Sequence, residues 1–369
     1  MAAPHRKRLT VALAGNPNSG KTTLFNALTG TRQHVGNYPG VTVEIKAGFV
    51  RHGDWHVEII DLPGTFSLTA HSQEEVIARK FILERKPDVV VNVVDASNLE
   101  RHLYLTTQLL ELGAPLLLAF NKSDLAADRG LKIDRAMLSK LLGAPIVETV
   151  GHRGEGIDAL IAEAVRVGED PAAEIAAQRR PRYGRELEPH VEALAEQVRR
   201  AAGEAALPRW SAIKLLEADE ETARRLRQTA PEAADDLLAA AERTRDHVRG
   251  VCGDEAEIIL ADRRYGFISG ACAESVHQEA DARHAISDRI DAVVTNQYVG
   301  LPVFLLLTLL AFQLTFAAGG PITDLLEVGK GHLAGWVGSF WPADSLIRSL
   351  LVDGIIEGVG MVVVFVPQV

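Results

Sequence analysis

Eight residues, Gly15-Asn16-Pro17-Asn18-Ser19-Gly20-Lys21-Thr22, constrain this chain more than any other stretch. They fit the pattern G-x-x-x-x-G-K-[ST]. Leu9, Val11 and Leu13 alternate before them as in a strand, and residues 21–28 read as a helix ending at Gly30. In the order strand, loop, helix, the glycines let the backbone curl so that successive N–H groups face phosphate oxygens. The positive end of the helix lies behind them. Lys21 then offers a cation to the β- and γ-phosphates, and the Thr22 hydroxyl a ligand to Mg²⁺. The surrounding pattern fits such a loop. Residues 41–50 and 56–60 read as strands joined by a turn at His52-Gly53-Asp54. Residues 89–94 and 116–120 are continuous apolar runs, as in strands buried on both faces. Ser72 and Glu75 have capping-box spacing for a helix through Phe81, and residues 104–112 read as another. The expected class is α/β, with a mainly parallel sheet covered on both sides.

Two further motifs sit at strand ends. Asp61-Leu62-Pro63-Gly64 closes the strand 56–60. Its Asp61 is placed to hold Mg²⁺ through water, and the Gly64 N–H to meet a γ-phosphate and sense its loss. Asn121-Lys122-Ser123-Asp124 closes the strand 116–120. The Asp124 carboxylate can accept two hydrogen bonds from guanine N1 and N2, a donor pair that adenine lacks. Asn121 and Lys122 brace that loop. Together the motifs imply a guanine-nucleotide site that binds GTP or GDP with Mg²⁺.

The remainder of the chain is of other kinds. Its 369 residues imply two or three domains, and 47% hydrophobic with 24% charged residues describes a folded protein. A net charge of −10 leaves no basic footprint for nucleic acid. Cys252 and Cys272 lack metal-site spacing and read as buried thiols rather than a disulfide. The basic His5-Arg6-Lys7-Arg8 is followed by too short an apolar stretch for a signal peptide. Residues 170–181 read as a linker. Beyond them Val191, Leu194 and Val198 share a helix face, and residues 213–216 and 237–248 also read as helical, giving a small all-α domain to about residue 280.

Residues 301–318 carry no charged side chain. With Val299 and Gly300 they can cross the roughly 30 Å hydrocarbon core. A buried soluble helix is the other reading, but such helices generally keep a polar face. Residues 355–366 form a second apolar, Gly-rich run that stops at Gln368-Val369, as if cut inside a membrane part. Arg283 and Arg289 precede the first span. Residues 321–345 hold only Lys330 against Asp324, Glu327 and Asp344, which places the nucleotide domain in the cytoplasm.

At this point the sequence resembles the FeoB family of ferrous iron transporters. The resemblance rests on residues 15–26, Asn37-Tyr38-Pro39-Gly40-Val41-Thr42-Val43-Glu44, residues 61–68 and Ile213-Lys214-Leu215-Leu216-Glu217. It continues in Arg264-Tyr265-Gly266-Phe267-Ile268, Gly300-Leu301-Pro302 and Leu351-Val352-Asp353-Gly354-Ile355-Ile356. It implies a Ras-like P-loop G domain (1–169) and a helical domain modulating nucleotide release (170–280). A membrane-proximal linker helix (281–298) and the truncated start of a permease (299–369) would follow. It also implies Fe²⁺ uptake across a bacterial inner membrane, a small accessory Feo protein as partner, and a homo-oligomer. Thr42 falls where the switch I threonine binds Mg²⁺, with Gly40 and Val41 beside the nucleotide. Asn18 falls where an asparagine ligates K⁺; an ordinary loop-stabilising role is its alternative.

Thr65 and Phe66 stand where Ras-like sites carry a water-orienting Gln, so a monovalent cation near the β/γ bridge would supply the missing charge. The reading is slow, K⁺-stimulated hydrolysis. Val150-Gly151 replaces the family's Ser-Ala, leaving backbone N–H groups to meet guanine O6. Asp353 and Glu357 share a helix face. They either line a Fe²⁺ path or form a solvated pair at the membrane surface. Two other function classes remain: a soluble Era-like regulatory or ribosome-assembly GTPase, and a membrane-remodelling GTPase. The first does not need residues 301–318, and the second needs longer helical stalks.

Overall fold

The computed structural model describes residues 7–30, 33–37, 44–69, 72–278, 294–296, 299–342 and 344–366. Strands β1 (Lys7–Gly15), β2 (Gln33–Asn37), β3 (Glu44–His52), β4 (Trp55–Asp61), β5 (Val89–Asp95), β6 (Leu116–Asn121) and β8 (Ile146–Glu148) form one sheet, ordered β2-β3-β4-β1-β5-β6-β8. From β4 to β8 the pairs are parallel, while β2–β3 and β3–β4 are antiparallel. Period-two alternation sorts the side chains. Leu9, Val11 and Leu13 pack on one face with Leu24 and Phe25 of α1 (Lys21–Thr29) and Leu160 of α6 (Ile157–Glu169). Ala12, Ala14, Val90 and Val94 face α2 (Gln73–Arg85), α3 (Leu99–Leu112) and α5 (Arg135–Leu142). All seven positions of β5 are buried, as its continuous apolar run required. The Ser72–Glu75 capping box opens α2, with both reciprocal bonds made.

Five helices make the second layer of this unit: α8 (Gly184–Ala202), α9 (Pro208–Leu216), α10 (Glu220–Thr229), α11 (Pro231–Cys252) and α12 (Ala256–Ser275). Val191, Leu194 and Val198 are all buried in its core. The linker expected over 170–181 is largely the helix α7 (Pro171–Ala177). Asp170 caps it from the Ala173 N–H and Pro171 opens it, a start signal inside a segment that composition alone reads as loop.

The helical layer and the sheet domain form one compact unit, Met1–Glu279. Ile268, Ala271 and Cys272 of α12 belong to the sheet domain's own core. A two-stranded ladder also joins them, β7 (Leu131–Ile133) with β9 (Val276–Gln278). At the seam Arg264, 1% exposed, donates two 2.8 Å hydrogen bonds to Glu111 and a third to Glu217. Lys214 reaches Glu217 at 2.6 Å, and the Tyr183 hydroxyl donates to Glu111. The thiols are not a buried pair: Cys272 is buried, whereas Cys252, on the last turn of α11 before Gly253, is exposed.

The second unit comprises Ala280–Val369. Its helix α13 (Gly300–Gly338) has 39 residues and an 18-residue stretch of mean hydropathy 2.1. At 1.5 Å per residue it is roughly 58 Å long, more than one hydrocarbon core. The apolar run was expected to end near 318, but the helix continues through Pro321. That residue withdraws one N–H, and the Thr323 hydroxyl donates to the Gly319 carbonyl at 3.0 Å. Then come α14 (Leu346–Ser349), a π-helical segment Leu350–Ile356 and α15 (Glu357–Phe365). Of the expected linker helix 281–298, only 294–296 lie among the described residues.

Candidate nucleotide site

The three motifs meet at the carboxyl ends of β1, β4 and β6, where open α/β sheets present ligand sites. The loop after β1 is held at both ends. Gly20 has φ 86°, and a Cβ there would lie 2.2 Å from Asn121 Nδ2, so only glycine fits. Asn18 takes the left-handed conformation (φ 65°), which asparagine tolerates better than most residues. Lys21 and Asp61 are both nearly buried and hydrogen-bonded to each other, so each charge has a partner. The Leu62 and Thr65 amides donate to Leu13 and Gly15 carbonyls at 3.0 and 3.1 Å, tying the Asp61–Gly64 turn to the P-loop. Gly64 lies against Pro17, 3.4 Å from where its Cβ would be. The Thr65 hydroxyl donates to the Ser67 carbonyl at 2.6 Å, and Phe66 lies under the Arg101 guanidinium at 4.8 Å. Neither side chain presents a group that could orient water.

The β6 loop braces the P-loop directly. Asn121 Nδ2 donates to the Ser19 carbonyl at 2.9 Å, and Lys122 Nζ to the Asn18 carbonyl at 2.7 Å. Asp95, at the end of β5, accepts Lys122 Nζ at 2.6 Å. Burial pushes the Asp95 carboxyl up, but hydrogen bonds from Lys122 and Ser97 outweigh it and hold it below the ordinary range. Its N–H donates to His102 Nδ1 at 3.3 Å; burial pulls that imidazole's pKa down, so it stays neutral near pH 7. Asp95 escaped the sequence reading because an acid after an apolar strand has no motif of its own. Its position beside the β6 loop was the only available signal.

Asp124 opens α4 (Ser123–Asp128). One of its oxygens, Oδ1, is buried and has no hydrogen-bond partner among the described residues. The other lies 3.6 Å from Arg153 and 3.7 Å from His152, two exposed side chains that the sequence did not single out. Ser123 Oγ donates to the Thr149 carbonyl at 3.2 Å. The amides expected to face guanine O6 are already engaged. Val150 N–H donates to Glu155 at 3.1 Å and Gly151 N–H to Asn121 Oδ1 at 3.0 Å. They close the loop rather than face outward. Gly40, Val41 and Thr42 lie outside the described residues. Asp353 is exposed in the π-helical segment, and Glu357, also exposed, accepts Lys330 Nζ at 3.0 Å.

Residues 9–164 match the family model described as ferrous iron transport protein B, and residues 183–277 the model of the FeoB cytosolic helical domain. A GDP-bound point mutant of S. thermophilus NFeoB superposes with a TM-score of 0.64 at 37% identity, over 72% of this chain and 99% of that one. The chain belongs to the FeoB family. The cytosolic domain of T. maritima FeoB, in a GMPPNP form, is similar at TM-score 0.61 and 33% identity, over 73% of this chain and all of that one. Among curated relatives, the FeoA/FeoB fusion protein of Porphyromonas gingivalis is 43% identical over 374 residues, and the Fe(2+) transporter FeoB of Salmonella typhimurium 38% over 371. The chain spans 44% and 46% of those two proteins, about half their length. The FeoB fold, a Ras-like G domain followed by a helical domain, agrees with the sequence reading. The match over 183–277 favours FeoB over an Era-like soluble GTPase.

Proposed function

We propose that this chain binds and hydrolyses GTP as the cytosolic module, with the first membrane segment, of a bacterial inner-membrane ferrous iron transporter. The buried, unpartnered Asp124 Oδ1 beside a braced P-loop carries the nucleotide reading. A desolvated carboxylate oxygen calls for a donor, and the guanine N1–H/N2–H edge supplies donors where adenine supplies none. The His152 N–H, the next amide after the two engaged ones, is the candidate donor to guanine O6. Gly15, Asn16, Pro17, Ser19 and Gly20 would wrap the phosphates, with Lys21 exchanging Asp61 for phosphate oxygens. The Thr22 hydroxyl and the Asp61 carboxylate are hard oxygen donors and suit Mg²⁺, which would spread the phosphates' charge. Gly40, Val41 and Thr42 complete that site in this reading, and Leu62, Pro63 and Gly64 line its γ-side.

Asn18 is exposed, and its side chain makes no hydrogen bond among the described residues, so its amide oxygen is available to K⁺. With Thr65 turned inward, K⁺ supplies charge that no side chain at 65 or 66 provides. We read hydrolysis as slow and faster in K⁺ than in Na⁺; equal rates in the two salts would refute the cation site. Transport of Fe²⁺ and an accessory Feo partner follow the names of the relatives, the second that of the fused P. gingivalis protein, and the cytoplasmic placement of the G domain follows the T. maritima cytosolic domain; a homo-oligomer rests on the sequence resemblance alone. For Asp353 and Glu357, both exposed, the Lys330–Glu357 pair supports the surface reading over a Fe²⁺ path. Direct titration with GTP and ATP tests the base assignment. Preference for GTP that disappears in Asp124→Asn supports it; equal affinities of the unaltered protein overturn it.

A further inference from the structure

On a chain of net charge −10, one cleft runs against the trend. It has a volume of about 1330 Å³, is bounded by α5, α7, the segment after α7, α8, α9 and α12, and is lined by no residue of the three nucleotide motifs. Six cations line it, Lys140, Arg179, Arg180, Arg182, Arg209 and Arg263, against two carboxylates, a surplus of four positive charges. One of those carboxylates is already committed: Glu188 accepts Arg209 Nη1 at 2.6 Å and the Tyr183 N–H at 2.7 Å. Among the described residues, no carboxylate lies within ion-pair distance of Lys140, Arg179, Arg180 or Arg182.

These charges are held together by the backbone. The Arg179 N–H donates to the Leu142 carbonyl at 2.9 Å, which pins the arginine-bearing segment to the end of α5. Gly143, in the left-handed region at φ 66°, allows that approach; a Cβ there would lie 2.1 Å from the Ala177 carbonyl oxygen. Arg209 Nη2 donates to the Pro181 carbonyl at 3.1 Å and fixes the segment's other end. Burial, and then the neighbouring Arg209, weaken the hold of Arg180 on its proton, as expected for like charges crowded without a counterion. Four uncompensated cations in a concave site repel one another unless an anion sits among them. Arginine forks match the tetrahedral oxygens of phosphate in pairs.

We propose that this cleft is a second anion site, distinct from the P-loop, that takes a phosphate-bearing anion and bridges the G domain to the helical layer. The shared chemistry is clustered phosphate oxygens, from a free oligophosphate or from a phospholipid head group. The test uses the full chain in neutral detergent, saturated with GDP and Mg²⁺ so that the P-loop is occupied. Tripolyphosphate is titrated calorimetrically in one arm. Dihexanoylphosphatidylglycerol, with the phosphatidylcholine analogue as control, is titrated in the other. Binding in the first arm assigns a free oligophosphate; binding in the second without the control assigns a lipid head group. In either case the combined Lys140→Ala, Arg180→Ala, Arg182→Ala variant should weaken binding at least about tenfold. Glu192→Gln, which removes the uncommitted carboxylate, should tighten it and guards against a variant that merely misfolds. No binding of either probe by the GDP-loaded protein, or binding indifferent to all four substitutions, would overturn the proposal.

Discussion

Replacing Arg264 by methionine tests whether the seam between the G domain and the helical layer is as dry as the structure has it. Methionine keeps much of the side chain's length and removes its charge. Arg264 and Glu111 have side-chain exposures of 1% and 0%, and Arg264 makes two of its hydrogen bonds to Glu111. Glu217 keeps Lys214 at 2.6 Å after the change, so the stranded charge is that of Glu111, left with the Tyr183 hydroxyl as donor. Removing one partner of a buried pair costs about 3–5 kcal/mol, against a typical total of roughly 5–15 kcal/mol. At about 2–4 °C per kcal/mol for a unit of this size, the melting temperature should fall by roughly 10 °C. Urea unfolding followed by near-ultraviolet circular dichroism measures the loss. Adding Glu111→Gln should recover much of it, because a neutral amide is far cheaper to bury than a lone carboxylate. Arg199→Met, which breaks only exposed pairs with Glu196 and Glu204, should leave the curve unchanged. A loss below about 1 kcal/mol for Arg264→Met, or no recovery with Glu111→Gln, would show that water reaches the seam and refute the argument.

Arg79 of α2 holds Asp219, the cap of α10, through bonds of 2.7 and 3.2 Å. Burial raises the Asp219 carboxyl, but the Arg79 hydrogen bonds and charge outweigh it and hold the group below its ordinary 3.8. A depressed folded-state value stabilises above the unfolded value and ceases to do so as pH falls through the folded one. The stability gap between the protein and Asp219→Asn should therefore be constant above about pH 4 and close below it; a gap that persists into acid unfolding contradicts the pairing. Burial pushes the Cys272 thiol up to about 11, while Cys252 is exposed. One thiol per chain should react with a maleimide at neutral pH and two after denaturation; two fast thiols in the folded protein would place Cys272 wrongly.

Much of this was legible in the residues because the signals were local. The P-loop spacing, the Ser72–Glu75 capping box and the buried runs of β5 and β6 each state their geometry within a few positions. What escaped depended on partners far apart in sequence. Arg264 and Glu111 are 153 residues apart, Arg79 and Asp219 140, and no periodicity announces either pair. The short strands β7 and β9 have too few residues for alternation to register, and their pairing spans most of the unit. The continuation of α13 through Pro321 was hidden because a proline reads as a stop, whereas one lost donor in a long helix is tolerated. At the site, motif residues were legible. The bracing by Asp95 and the engagement of the Val150 and Gly151 amides were not, since both are set by where neighbouring strands end.

The central claim is that a Mg²⁺-bound guanine nucleotide occupies the loop from Gly15 to Thr22. Equilibrium binding of fluorescent GDP with Mg²⁺ to the protein and to Lys21→Ala, with folding checked by circular dichroism, tests it most directly. Loss of a charged contact to phosphate should weaken binding by at least about tenfold. A protein that binds no guanine nucleotide, or a folded Lys21→Ala that binds it as tightly as before, would contradict the account.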